Sequence, residues 1–127
     1  MVNQLMMCAQ IAGAAEAFVY TERHGTDPAR VLQAINPKVR DNLWVQKHEQ
    51  QRLQKRAGDL PAVPASEDHY TPLFLKDMSC LLESDMDLPI ARAAAAMLRT
   101  AVEGGLEGPF PWSMHTGCEA MQPGESR

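Results

Sequence analysis

The sequence predicts an all-α fold, a compact bundle of five to seven helices around a long, mostly buried first helix. Three observations carry this expectation. The opening MVNQLMMCAQIAGAAEAFVY spaces its apolar residues at helical intervals: Met1, Leu5, Cys8, Ala12, Ala15 and Val19 follow one stripe, and Met7, Ile11, Ala14 and Phe18 fill the next. Turn residues then punctuate the chain at lengths suited to helices, at Gly25, Asn36-Pro37, Pro72 and Gly104-Gly105. Finally, Val, Ile and Thr never cluster in alternation, so no strand is predicted, and no internal repeat is apparent.

The first helix is apolar on most sides, which places it in the middle of a domain with neighbours on several faces. It should stop near Gly25, because Arg23 and His24 favour its negative end and glycine accepts a left-handed conformation. Asp27 then caps DPARVLQAI, with Pro28 in the first turn, Val31, Leu32 and Ile35 on one face, and Asn36-Pro37 as the stop. From Lys38 to Arg56 a more solvated helix is expected, anchored by Val39, Leu43, Trp44 and Leu53. Residues 58–71, GDLPAVPASEDHYT, form a loop of unusual length, the kind that carries function or disorder. A helix follows Pro72, burying Phe74 or Leu75 with Met78, Leu81 and Leu82. Asp87 is a cap candidate for the alanine-rich helix that Gly104 and Gly105 end.

Composition narrows the function classes. The 127 residues suit a single domain, residues 1–127, with one core. A charged fraction of 22% and a net charge of -4 describe an ordinary soluble protein, and no nucleic-acid partner is expected. Residues 38–56 alone are basic, with a local balance of +4. Without aromatic interleaving they read as a solvated helical face, an RNA or acidic partner being the weaker alternative. Cys8, Cys80 and Cys118 are odd in number and far apart, which disfavours a disulfide framework and fits a cytoplasmic setting. No membrane association is expected either: the first basic residue, Arg23, comes too late for a signal peptide, and Gln10 and Glu16 interrupt the apolar stretch.

The chemistry-bearing residues form no self-contained active site. His24, His48, His69 and His115 lack HExxH spacing, and no serine sits in a GxSxG elbow. His115 and Cys118 in HTGC offer two metal ligands without a second pair, so no metal is expected. GGLEG is a helix stop, and Glu67-Asp68 reads as solvated loop charge. Two polar places remain. Asn3 and Gln10 share a face of the first helix, bordered by Gln4, and either bond to neighbouring backbone or face a ligand cleft. Lys76 and Asp77 are adjacent within an apolar run, so they diverge by about 100° and meet different surroundings.

These pieces resemble a family. The stretch VNQLMMCAQIAGAAEAFVYTERHGTDPARVLQAI, then FLKD, then the LP helix ending in a glycine pair is similar to the C-terminal helical domain of the β-hydroxyacid dehydrogenases, a group that includes 3-hydroxyisobutyrate dehydrogenase and tartronate semialdehyde reductase. The likeness is best over residues 1–36 and 73–106; the tail 107–127 matches poorly. In that family a catalytic lysine precedes two apolar residues, an asparagine and a second amide. Met1, Val2, Asn3 and Gln4 match all but the lysine, which the resemblance places one position before Met1, so no catalytic residue is assigned here.

The resemblance implies that complete relatives transfer a hydride between NAD or NADP and a small β-hydroxyacid, the helical domain supplying part of the substrate cleft and most of the oligomer interface. Asn3 and Gln4 would meet substrate; Lys76 and Asp77 match the family KD, which lies near the cofactor's nicotinamide end. No GxGxxG follows a strand, so this chain is not expected to bind the cofactor tightly by itself. The expected partners are a second copy in a homo-oligomer and a separate Rossmann domain, and without that domain the chain is expected to be inactive. The alternative is a stand-alone helical dimerisation module with no enzymatic activity.

Overall fold

The computed structural model describes residues 1–124, and among them seven α-helices and no strand. Helix α1 (Val2–Arg23) touches five others: α2 (Pro28–Ala34), α4 (Leu43–Ala57), α5 (Thr71–Leu81), α6 (Pro89–Glu103) and α7 (Trp112–Ala120). The seventh, α3 (Pro37–Arg40), packs on α4. Cys8, Ile11, Ala12, Ala15 and Val19 of α1 meet Phe74 and Met78 of α5, Ala91, Ala95 and Leu98 of α6, and Met114 and Cys118 of α7 in one core. The apolar stripes of the sequence are therefore the buried stripes of the helix.

Local chemistry sets the helix ends. Past α1, Gly25 takes φ +73, the left-handed region that glycine enters without strain. Asp27 caps α2 by accepting from the Ala29 amide at 3.0 Å, and Pro28 supplies its first turn. Gly105 adopts φ +66 beyond α6.

Three expectations change. The helix foreseen over Lys38–Arg56 is two, because Asn36 accepts from the Lys38 amide at 2.8 Å to start α3, and Asn42 accepts from the Trp44 and Val45 amides to start α4. Of its four foreseen anchors, Val39, Leu43 and Leu53 are exposed and Trp44 is half-buried, whereas His48, Gln51 and Arg52 are buried. Asp87 does not cap α6. Leu88 holds that position, and Asp87 instead pairs with Arg92.

Residues 58–71 are pinned rather than loose. A 3-10 turn spans Ala65–Glu67, Ala65 donates its amide to Leu106 at 2.8 Å, and Gly108 donates to Val63 at 2.8 Å. Asp68 Oδ2 gathers four donors: the amides of Tyr70, Thr71 and Phe110, and the Thr71 hydroxyl at 2.7 Å. Thr71 Oγ1 in turn meets Ser113 Oγ at 2.9 Å, so one carboxylate ties the loop, the start of α5 and the entry to α7 together.

Helix α7 comes from the poorly matched tail and is among the most buried elements, with Trp112, Ser113, Met114, His115, Gly117 and Cys118 all inside. Its approach to α6 requires glycine. A Cβ on Gly117 would lie 2.1 Å from the Met97 carbonyl oxygen, a backbone atom that cannot swing away.

Two stability changes follow. Burial pushes the Asp68 carboxyl up, but its four hydrogen bonds outweigh this and hold it below the usual carboxylate range. The fold thus stabilises the ionised form, a contribution present above the unfolded pKa of about 3.9 and lost as pH falls through the lower folded value. Asp68→Ala should lose about 1–3 kcal/mol in urea unfolding at neutral pH, Asp68→Asn less, and the gap between Asp68→Asn and the parent should narrow below a pH of about 4. Gly117→Ala should lose about 1–3 kcal/mol or more by the same measurement, by forcing α6 and α7 apart.

Candidate functional site

At its N-terminal end α1 presents two amides with different surroundings. Asn3 is exposed, and its Nδ2 meets only the Met7 sulfur at 3.4 Å. Gln4 is half-buried, and its Oε1 is buried without a hydrogen-bond partner. One turn on, the fully buried Cys8 thiol is pushed up to about 12, by burial first and then by the charge of Asp77. That charge marks the seam where α5 packs on α1. Gln4 and Cys8 share a side of α1, since residues four apart on a helix do.

Lys76 points elsewhere. It is exposed and forms no ion pair among the described residues, while the adjacent Asp77 is half-buried, as their angular divergence predicts. The structure thus places Gln4 half-buried on α1 and Asp77 half-buried on α5, and leaves Asn3 and Lys76 exposed on the same two helices. The start of α1 offers an unpaired buried acceptor and an amide donor, and α5 adds a carboxylate and an exposed ammonium. Such groups can orient a small polar acid but do not include a competent nucleophile, because Cys8 stays protonated.

Gln10 bonds to a side chain, not to neighbouring backbone. It is exposed, and its Oε1 accepts from Asn42 Nδ2 at 3.1 Å, so this amide ties α1 to the start of α4 while lining the groove between them, at a place apart from Asn3. The basic stretch is also less available than its charge implies. Arg52 is buried and held by both oxygens of Glu49 at 2.6 Å.

Sequence reasoning missed a buried histidine pair. His48 Nε2 and His115 Nδ1 lie 2.8 Å apart, beneath Phe18 and Trp112, and burial together with the charges of His115 and Arg52 lowers His48 to about 3. No spacing could have shown it, because 67 residues separate the two. Within HTGC, His115 turns to His48 while the Cys118 sulfur meets Gln122 Nε2 at 3.7 Å. Burial, then Glu16, raises the Cys118 thiol.

A family model described as "NAD-binding of NADP-dependent 3-hydroxyisobutyrate dehydrogenase" matches residues 1–109, α1 through α6 and the turn beyond. The chain belongs to this family, as a C-terminal helical domain of the 3-hydroxyisobutyrate dehydrogenase type. No curated protein and no solved structure matches it significantly. No helix among the described residues is long and apolar enough to cross a membrane.

The thiol environments make a direct test possible. In the folded protein an alkylating reagent at mildly alkaline pH should modify Cys80, which is exposed, and spare Cys8 and Cys118 until the chain is unfolded. Peptide mass mapping before and after denaturant reads the pattern.

Proposed function

We propose that this domain forms one wall of the substrate cleft, and the assembly surface, of an NAD(P)-dependent β-hydroxyacid dehydrogenase. The family match supports the reading, and one observation carries it: the buried, unpartnered Oε1 of Gln4, next in sequence to the exposed amide of Asn3. A buried acceptor without a donor is costly unless a ligand supplies one, and the hydroxyl of a β-hydroxyacid is such a donor. Asn3 Nδ2, held only by a weak sulfur contact, is available to the acid's carboxylate. Lys76 adds a positive charge, and Asp77 fixes the polarity of the seam.

These residues do not by themselves hold the dinucleotide. With no strand among the described residues there is no βαβ turn to cradle a pyrophosphate, so the cofactor and its hydride must be supplied by a Rossmann domain. No lysine lies within the α1 part of the seam to act as acid and base, and the chain alone is proposed to be inactive.

An apolar groove of about 480 Å³ runs between α1 and the α2–α4 arm, lined by Gly13, Ala17, Val31, Leu32, Ile35 and Val45 among others. Its apolar walls suit a second copy of the chain. The same groove favours the second reading, a helical interaction module without enzymatic activity.

Joining the chain to a family Rossmann domain that carries the lysine tests the first reading. The parent chimera should oxidise a small β-hydroxyacid with NAD or NADP. Asn3→Ala and Lys76→Ala should each lower kcat/KM by about 10–100-fold with folding unchanged, the loss expected for a hydrogen bond to a charged group. Values within twofold of the parent for both variants would remove these residues from the cleft.

A further inference from the structure

At the other end of α1, Glu22 meets His115 and Glu119, which stand one turn apart on α7. One ligand-type atom from each of the three lies within 4.8 Å of the others. We propose that Glu22, His115 and Glu119 form a site for a divalent first-row transition cation, zinc foremost, that clamps the end of α1 to α7. Imidazole with two carboxylates is a donor set suited to such ions, and three protein ligands leave a fourth position for water.

The first support is the His115 ring. It is 3% exposed, yet its Nε2 makes no hydrogen bond, approaching Glu22 Oε1 only to 3.4 Å. That separation is long for a hydrogen bond and matches two ligands of one tetrahedral ion: bonds of about 2.0–2.1 Å place ligand atoms about 3.3–3.4 Å apart. Glu119 needs only a side-chain rotation to close the set, since it is exposed.

The second support lies behind the ring. A metal on His115 Nε2 requires the proton on Nδ1, which then donates to His48 Nε2 across 2.8 Å. His48, accepting at Nε2, must then carry its own proton on Nδ1. That atom is buried and has no partner, and one turn on Gln51 has a buried Oε1 with no partner. In this tautomer the two orphans are a donor and an acceptor on one helix face; in the reverse tautomer they are two acceptors. The metal-competent arrangement is the one that leaves a complementary donor and acceptor there in place of two acceptors.

The surrounding charge permits a cation. Arg52 is paired with Glu49, and the depression onto which Glu22 and Glu119 open sets three carboxylates, those two and Glu107, against two cations, Arg23 and Lys55. An acidic pair brought together at a buried imidazole is otherwise repulsive.

Titrating chelator-stripped protein with zinc alone tests the site by calorimetry and by thermal unfolding. One ion per chain should bind, with a rise in the unfolding midpoint that tracks occupancy. His115→Gln should abolish binding. Because that ring is in the core, the surface variants Glu22→Gln and Glu119→Gln provide the second arm, each expected to fold and to bind at least about tenfold more weakly. Absence of saturable binding to the parent, or binding that neither surface variant weakens, would overturn the proposal.

Discussion

Everything in this domain is arranged around the burial of α1. Its row of Cys8, Ala12, Ala15 and Val19 is narrow, which lets neighbouring helices come close, and close packing of many small residues gives dispersion contacts that larger side chains would obtain at a wider spacing. The alanines of α6 and Gly117 of α7 extend the same solution, since α6 and α7 touch through backbone at Met97. A helix surrounded in this way cannot shift along its axis without disturbing five partners. Both of its ends are thereby fixed in space, and both carry the polar groups that matter.

The α4 side of the molecule follows a different rule. Its buried face is His48, Gln51 and Arg52, not an apolar stripe, so it must be held by specific partners instead of area alone. Glu49 neutralises Arg52, His115 meets His48, and Asn42 joins Gln10. Such contacts orient α4 more sharply than an oily face would, because each has a direction as well as a distance. His48 and Gln51 nonetheless retain unpaired atoms, and these mark the place where the packed core is least complete.

How far the sequence spoke depended on the range of the interactions. Helical periodicity identified α1, α2, α5 and α6, because each signal lies within a few neighbouring residues. The break between α3 and α4 was also local, written in Asn42, but the helical run on either side concealed it. Asn3, Gln4, Lys76 and Asp77 stood out as polar residues in apolar runs, but their roles came only through family resemblance, and any relation between them across α1 and α5 depends on tertiary packing. The His48–His115 pair and the Glu22, His115 and Glu119 cluster had no sequence signal at all, since neither ring nor carboxylate knows its partner until α1, α4 and α7 have packed.

The two polar ends of α1 have different kinds of role. Gln4 and Glu22 are eighteen residues apart on one helix, about 27 Å at 1.5 Å per residue. A cation at Glu22 is too distant to polarise a ligand near Gln4, since a charge at that range is screened several Debye lengths away in physiological salt. Any effect of the far end on the seam must be mechanical. Clamping α1 to α7 raises the free energy of letting the end of α1 fray, and α1 is the element that carries Gln4 and packs on α5. The chemistry proposed for one end thus depends on the rigidity secured at the other, with no charge passing between them.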